Sequence, residues 1–170
     1  MPSRFASERL GPQHDLGEFS CGVDALVRWL ADHATHAQSM RTAQTFVWHR
    51  GDNVVVAYFS LAAHLVIRAD LPKRVGRGSP ESIPAVLLAR LALDTSLHGE
   101  GVGGELLWDA LSRARAAADT VAARVVVVDA ISPEAAAFYE HHGFTQIPDN
   151  PNRLVQKMSD IAAAIDDLPQ

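Results

Sequence analysis

Four glycines fall within six residues, at Gly99, Gly101, Gly103 and Gly104. They stand just ahead of a stretch (101–118) in which Val102, Leu106, Leu107, Ala110, Leu111 and Ala114 recur at helical spacing. The apolar run 85–93, interrupted by Arg90, precedes them, and its flanks Pro84 and Asp94-Thr95-Ser96 favour a strand over a helix. Strand, glycine turn and helix in that order restrict the chain to folds that lay a helix against a sheet. The turn also restricts chemistry. Alternating glycines let backbone N–H groups converge without interference from Cβ atoms. The helix N-terminus adds about half a positive charge and its unpaired donors. Together they form a cradle for a pyrophosphate that needs no lysine. A turn that only lets helix pack on strand is the plainer alternative.

Other segments complete an α/β pattern. Residues 5–10 are expected as a short strand closed by Gly11-Pro12. Val23, Leu26, Val27, Leu30 and Ala34 mark one amphipathic helix continuing to about residue 37. Segments 45–49 and 54–65, rich in β-branched and aromatic residues, read as a hairpin around Arg50-Gly51-Asp52-Asn53. Pro72, Gly76, Gly78 and Pro80 make 68–82 loop-like. The valine-rich 124–130 reads as a strand buried on both faces. Ser132 is a fitting N-cap with Pro133 at the first helical position, and the helix runs to His142, with Gly143 as its left-handed stop. Closing strands at 144–147 and 154–158 and a terminal helix at 161–167 follow. The expected class is α/β (α+β), a mixed and mostly antiparallel sheet flanked by helices, in a single domain over residues 1–170.

Composition removes several functions. With 48% apolar and 21% charged residues, wholesale disorder is excluded. The lone Cys21 excludes a disulfide framework or a thiolate metal cluster. No apolar run approaches the roughly 18 residues of a membrane span, and no signal-peptide pattern follows the N-terminus, so a cytoplasmic protein without membrane association is expected. His33 and His36, and the adjacent His141 and His142, lack a convergent third ligand; they read as surface histidines, and no metal is expected. Asp160, Asp166 and Asp167 read as a solvated helix face. A net charge of −5 argues against a general nucleic-acid binder. From Arg68 to Arg90, however, Arg68, Lys73, Arg74, Arg77 and Arg90 outnumber Asp70 and Glu81, which reads either as a solvated loop or as a local basic face suited to a polyanion.

Which phosphate ligand the turn holds is decided by context. The absence of a Walker lysine excludes a P-loop NTPase. Gly99, Gly101 and Gly104 do fit the dinucleotide spacing, with Asp129 ending the next strand where a ribose-binding acid would stand. Against that reading, residues 94–98 separate strand from first glycine, and little chain follows Asp129.

Coenzyme A is the alternative. His98-Gly99-Glu100-Gly101-Val102-Gly103 resembles the (Gln/Arg)-x-x-Gly-x-(Gly/Ala) signature of the GNAT N-acetyltransferase superfamily, with histidine at its first position. Downstream, Ala135 to Phe144 resembles that superfamily's A-x-x-F-Y-x-x-x-G-F helix and exit. A narrower resemblance covers nearly the whole chain. Phe19-Ser20-Cys21-Gly22, Leu26, Trp29-Leu30, Gln38, Thr45-Phe46-Val47, Tyr58 to Leu61 and Ala89 to Asp94 are similar to the acetyltransferase toxins of bacterial toxin–antitoxin pairs. That resemblance implies acetyl-CoA as donor, the α-amino group of aminoacyl-tRNA as acceptor, a block of translation, a ribbon-helix-helix antitoxin partner and a homodimer. The alternatives are acetylation of a small amine or protein N-terminus, and a CoA- or dinucleotide-binding regulator without turnover.

The resemblance also implies roles. Thioester aminolysis needs a neutral amine, a stabilised oxyanion and a proton for the departing thiolate. Tyr139 matches the family tyrosine facing the CoA sulfur and is the candidate general acid, since phenol (pKa about 10) and thiol (about 8.5) are nearly matched. Phe138, its neighbour, points about 100° away on the helix and is assigned to the cofactor's surroundings. Leu91, Ala92 and Leu93 are implied as a bulged strand whose amides pair with pantetheine. His98, Gly99, Gly101, Val102, Gly103 and Gly104 are assigned to the pyrophosphate, and Ser132 stands where many relatives have a pantetheine-binding asparagine. No general base stands out. An aminoacyl ester lowers the pKa of its own α-amine, whereas a lysine near 10.4 needs a base. Arg90, inside an apolar strand, is expected to meet an acid or reach a phosphate, and with Arg68, Lys73, Arg74 and Arg77 to guide tRNA.

Overall fold

The β-branched and aromatic runs assemble into a mixed seven-stranded sheet of order β1-β2-β3-β4-β5-β7-β6 in the computed structural model, which describes residues 4–168. The strands are β1 (Ala6–Arg9), β2 (Gln44–His49), β3 (Ala57–Ile67), β4 (Ser82–Leu93), β5 (Val125–Asp129), β6 (Thr145–Ile147) and β7 (Asn150–Lys157). The helices are α1 (Asp24–Asp32), α2 (Ala34–Ser39), α3 (Lys73–Gly76), α4 (Val102–Val121), α5 (Pro133–His141) and α6 (Met158–Asp166). Short 3₁₀ turns cover Arg68–Asp70 and Thr95–Leu97. β4 and β5 run parallel, joined through α4, while β1–β2, β2–β3, β5–β7 and β6–β7 are antiparallel. Among the described residues no helix is long and apolar enough to cross a membrane.

The chain forms two compact units, Met1–Ala62 with Ala89–Asp109 and Ala63–Leu88 with Ala110–Gln170. In the first, Leu30 and Ala34 from α1 and α2 bury against Val47, Tyr58 and Ala92 from three neighbouring strands, with Leu26, Val27 and Trp29 packed around them. That is the apolar stripe anticipated from the 23–34 spacing. Gln38 ties α2 to the sheet: its Nε2 donates to the Leu10 carbonyl at 2.8 Å and its Oε1 accepts the Thr45 amide at 3.1 Å. In the second unit, Val66, Ile83, Ala85, Val125, Val127 and Val155 form a sheet-borne core covered by Leu71 and Val75.

Several expectations change. The closing strand expected at 154–158 runs from Asn150 to Lys157, and Met158 already opens the terminal helix expected from 161. The helix anticipated from 23 to 37 is two helices, because His33 (φ −126°, ψ −23°) breaks the backbone at the junction. The apolar period survives the break because it reports a shared face, not an unbroken backbone. The loop-like 68–82 contains a 3₁₀ turn and the single turn α3, which lets Val75 bury. The second hairpin strand begins at Ala57; Val54 instead bridges Asp15 in parallel.

Candidate functional site

The β4–β5 ladder runs from Ala85↔Val125 to Leu88↔Val128, but β4 itself continues to Leu93. The Asp94 amide then donates to the Val56 carbonyl at 2.8 Å, on the β3 side. Successive residues of a strand turn their backbone groups to opposite edges. The amides of Leu91 and Leu93 therefore point to the edge of β4 away from β3, beyond its last residue paired with β5. Ala92, between them, sends its side chain into the core.

The turn beyond is braced from inside. The Asp94 carboxylate accepts the amides of Ser20 and Ser96 and the Ser96 hydroxyl, at 3.0, 3.1 and 2.6 Å. Burial raises its pKa, but these hydrogen bonds outweigh that and hold it below the ordinary value. His98 Nε2 donates to the Leu93 carbonyl at 2.8 Å, so the ring closes the turn onto the end of the strand. Gly99 (φ 79°) and Gly101 (φ 77°) then take left-handed conformations with open space beside their α-carbons. An L side chain at either would be strained. These residues deliver the chain into a helix of 20 residues whose first amides belong to Val102, Gly103 and Gly104. The cradle anticipated from the glycines is present as geometry: turned backbone, open surface and a helix N-terminus. It fits a diphosphate.

Along α5 the local rules hold. The Ser132 hydroxyl accepts the Ala135 amide at 3.1 Å, Pro133 is the first residue, and Gly143 (φ 98°) ends the helix. Capping therefore occupies an acceptor lone pair of Ser132. Of the aromatic pair, Tyr139 is the more enclosed, 7% exposed, with Phe138 half-buried. The Tyr139 ring meets Phe138 and Phe144 edge-on, with centroids at 5.3 and 5.6 Å, and Phe138 also abuts His142 at 4.7 Å. Burial drives the Tyr139 phenol well above its ordinary value, and its hydroxyl makes no hydrogen bond among the described residues. A phenol so held stays protonated, and it is a weaker acid than the near match to a thiol expected from its ordinary value.

The basic residues separate into two kinds. Arg68, Lys73, Arg74 and Arg77 are exposed, and their backbones are ordered by α3 and its flanks. Arg68 donates to the Ser79 carbonyl at 2.7 Å, and Arg74 lies 3.5 Å from Asp160. Arg90, expected to meet an acid or reach a phosphate, meets no acid among the described residues. Its guanidinium lies 3.8 Å over the ring of Trp29. Asp129, the one acid compatible with a ribose, is held by Arg153 through two bonds at 2.7 and 2.8 Å, which removes the main support for the dinucleotide reading. The terminal helix is less free than anticipated, since Asp166 pairs with Arg115 at 2.6 Å. Cys21 is buried, as expected of a small apolar residue.

Sequence reading missed one cluster. Glu8 Oε1 lies 2.7 Å from Nε2 of both His14 and His49. The three potential ligand atoms fall within 4.8 Å of one another, a spacing that admits a metal ion. The outer ring nitrogens argue otherwise. His14 Nδ1 accepts the Gly11 amide at 2.9 Å and His49 Nδ1 the Gly51 amide at 3.0 Å. Each neutral ring then carries its proton on Nε2 and donates it to Glu8, where a metal would need a lone pair. The cluster is a closed clasp. Residues so far apart in sequence give no spacing signal.

Comparison with known proteins agrees with this geometry. Residues 41–146 match the family model of the acetyltransferase (GNAT) domain. A tRNA-acetylating toxin of Mycobacterium tuberculosis H37Rv is 38% identical over 167 residues, covering 98% of this chain and all (100%) of the relative. The solved structure of AtaT complexed with acetyl-methionyl-tRNAfMet is similar with a TM-score of 0.88 and 28% identity, covering 95% of this chain and 99% of that one. A mutant AtaT toxin bound to the C-terminus of the antitoxin AtaR and acetyl-CoA is similar with a TM-score of 0.82 and 26% identity, covering 96% and 99%. The resemblance drawn from the two motifs is borne out.

Proposed function

The chain belongs to the GNAT family of acetyltransferases, and from that premise we propose that it moves the acetyl group of acetyl-CoA onto the α-amino group of aminoacyl-tRNA, blocking translation. The observation that carries this reading is the end-to-end likeness to a tRNA-acetylating toxin. The likeness to AtaT, solved with acetyl-methionyl-tRNAfMet, supports it.

The geometry supports the following roles. The backbone of Gly99, Gly101, Val102, Gly103 and Gly104 holds the diphosphate, with the His98 ring fixing the turn. The outward amides of Leu91 and Leu93 pair with pantetheine as an added strand would. Phe138 and Ser132 are assigned to the cofactor's surroundings on the family likeness alone. Acetyl-CoA supplies an activated thioester when bound. Tyr139, kept protonated by burial, donates its hydroxyl proton to the departing sulfur. The acceptor amine needs no protein base, because its ester already lowers its basicity. Arg68, Lys73, Arg74 and Arg77 meet the phosphate backbone of tRNA as exposed cations.

On the same reading the two units work as one acetyltransferase domain in a cytoplasmic homodimer, need no metal, and are restrained by a ribbon-helix-helix antitoxin. The decisive experiment incubates labelled acetyl-CoA with charged and uncharged tRNA. Label is expected on the charged species alone and is released by mild alkaline deacylation. Label on a polyamine or peptide N-terminus, and never on aminoacyl-tRNA, would overturn the reading.

A further inference from the structure

Arg90 carries a charge that no acid among the described residues balances. It sits in an otherwise apolar stretch of β4, half-buried, and among the described residues it forms no ion pair. Burial works against its charge, and the Tyr58 phenol only partly offsets this. What holds the guanidinium is the face of Trp29, at 3.8 Å. The same indole stacks on Tyr58, centroids 6.2 Å apart and planes 12° from parallel. Tyr58 is fully buried and donates its hydroxyl to the Leu26 carbonyl at 2.6 Å, anchoring the helix that bears Trp29. The head group is therefore fixed in direction by a braced aromatic stack, while its N–H donors are not taken up by a carboxylate. A guanidinium so prepared fits a phosphate, which it can meet with two parallel hydrogen bonds.

Its position says which phosphate. Counted along the backbone from Arg90 itself, the amides of Leu91 and Leu93 lie one and three residues further on, about 3 and 10 Å along a strand, and the guanidinium stands off that line toward Trp29. In aminoacyl-tRNA the last phosphodiester is separated from the reactive amine by one ester and one ribose, a span of the same order. We propose that Arg90, braced on Trp29, seats the 3′-terminal phosphodiester of aminoacyl-tRNA and thereby sets the register of the α-amine against the acetyl group. The inference rests on the aminoacyl-tRNA reading above and deepens it. The exposed cations of 68–77 act diffusely on the polyanion, whereas Arg90 reads one linkage, with Trp29 and Tyr58 as positioning residues.

The test uses aminoacyl-tRNA whose last linkage is either natural or a neutral methylphosphonate. Wild-type kcat/KM is expected to fall about tenfold or more on the methylphosphonate, the scale of one charge-assisted contact. Arg90→Gln should lose a similar factor on natural tRNA and show no further loss on the modified one. Arg90→Lys, which keeps the charge without the planar stack, should raise KM with kcat nearly retained. Acetyl-CoA affinity, measured by calorimetry, should be unchanged in both variants. A wild type indifferent to the methylphosphonate overturns the proposal even if no variant folds, as does an Arg90→Gln protein that retains the full methylphosphonate penalty. If the wild type acetylates no charged tRNA at all, the broader reading fails first and takes this one with it.

Discussion

Between His98 and Gly104 the side chains recede and the backbone does the work; along α5, from Ser132 to Gly143, the backbone is capped at one end, turned off at the other, and a side chain is left with something to give. On the proposed reading, the grip of the glycine turn depends on two positive φ angles and on the Asp94 and His98 contacts that hold them. The part proposed for α5 depends on one hydroxyl whose acidity burial sets. The difference teaches which measurements separate binding from chemistry: damage to the first region should weaken the hold on the donor, and damage to the second should slow the transfer.

The sharpest attack on that division is Tyr139→Phe. It keeps the ring that packs on Phe144 and removes the proton, so kcat should fall about 10²–10⁴-fold, with acetyl-CoA affinity by calorimetry little changed. Loss of affinity in step with rate would make Tyr139 a packing residue and dissolve the contrast. A pH series tests the same group without mutation. A general acid must be protonated to act, and burial raises this phenol above its ordinary 10.0. Wild-type kcat should rise as the acceptor amine deprotonates and then show no decline up to about pH 10, the range where an ordinary tyrosine begins to ionise. A falling limb below that point contradicts the assignment. Gly101→Ala attacks the other region. A left-handed alanine costs about 1–2 kcal/mol, which should appear as roughly tenfold weaker acetyl-CoA binding with kcat at saturation preserved.

The mildest perturbation lies outside both regions, in the clasp. Hydrogen bonds from His14 and then His49 hold the Glu8 carboxyl below its ordinary 4.5. A carboxyl depressed by folding contributes stability above its unfolded pKa and loses it as pH falls through the folded value. The Tm difference between wild type and Glu8→Gln should therefore be greatest near neutrality and shrink under acid below about pH 4, with transferase activity unaffected at pH 7. A difference that grows on acidification would mean the clasp is wired in another way.

Local rules made much of this molecule readable in advance. The turn was legible because four glycines in six residues mark a backbone that bends where side chains cannot follow, and α5 because its serine cap, proline and closing glycine act within one helix. The amides of Leu91 and Leu93, for which resemblance implied a pantetheine contact, could not be aimed from sequence, because the alternation that directs them required knowing where Val56 lies. What stayed hidden depends on distance along the chain. Trp29 meets Arg90 because a helix crosses a strand far downstream in sequence, and Glu8, His14 and His49 converge from a strand, a turn and a second strand. The burial of Tyr139 over Phe138 is of the same kind, since a Phe-Tyr pair does not announce which ring faces inward.

The stretch of β4 beyond Leu88 ties the stability of the fold to occupancy. A ligand that takes up those amides binds the folded chain and not the unfolded one, so it stabilises the fold in proportion to the logarithm of its concentration over Kd. The melting temperature would then climb as ligand is added, and a melt becomes a reading of how full that edge is.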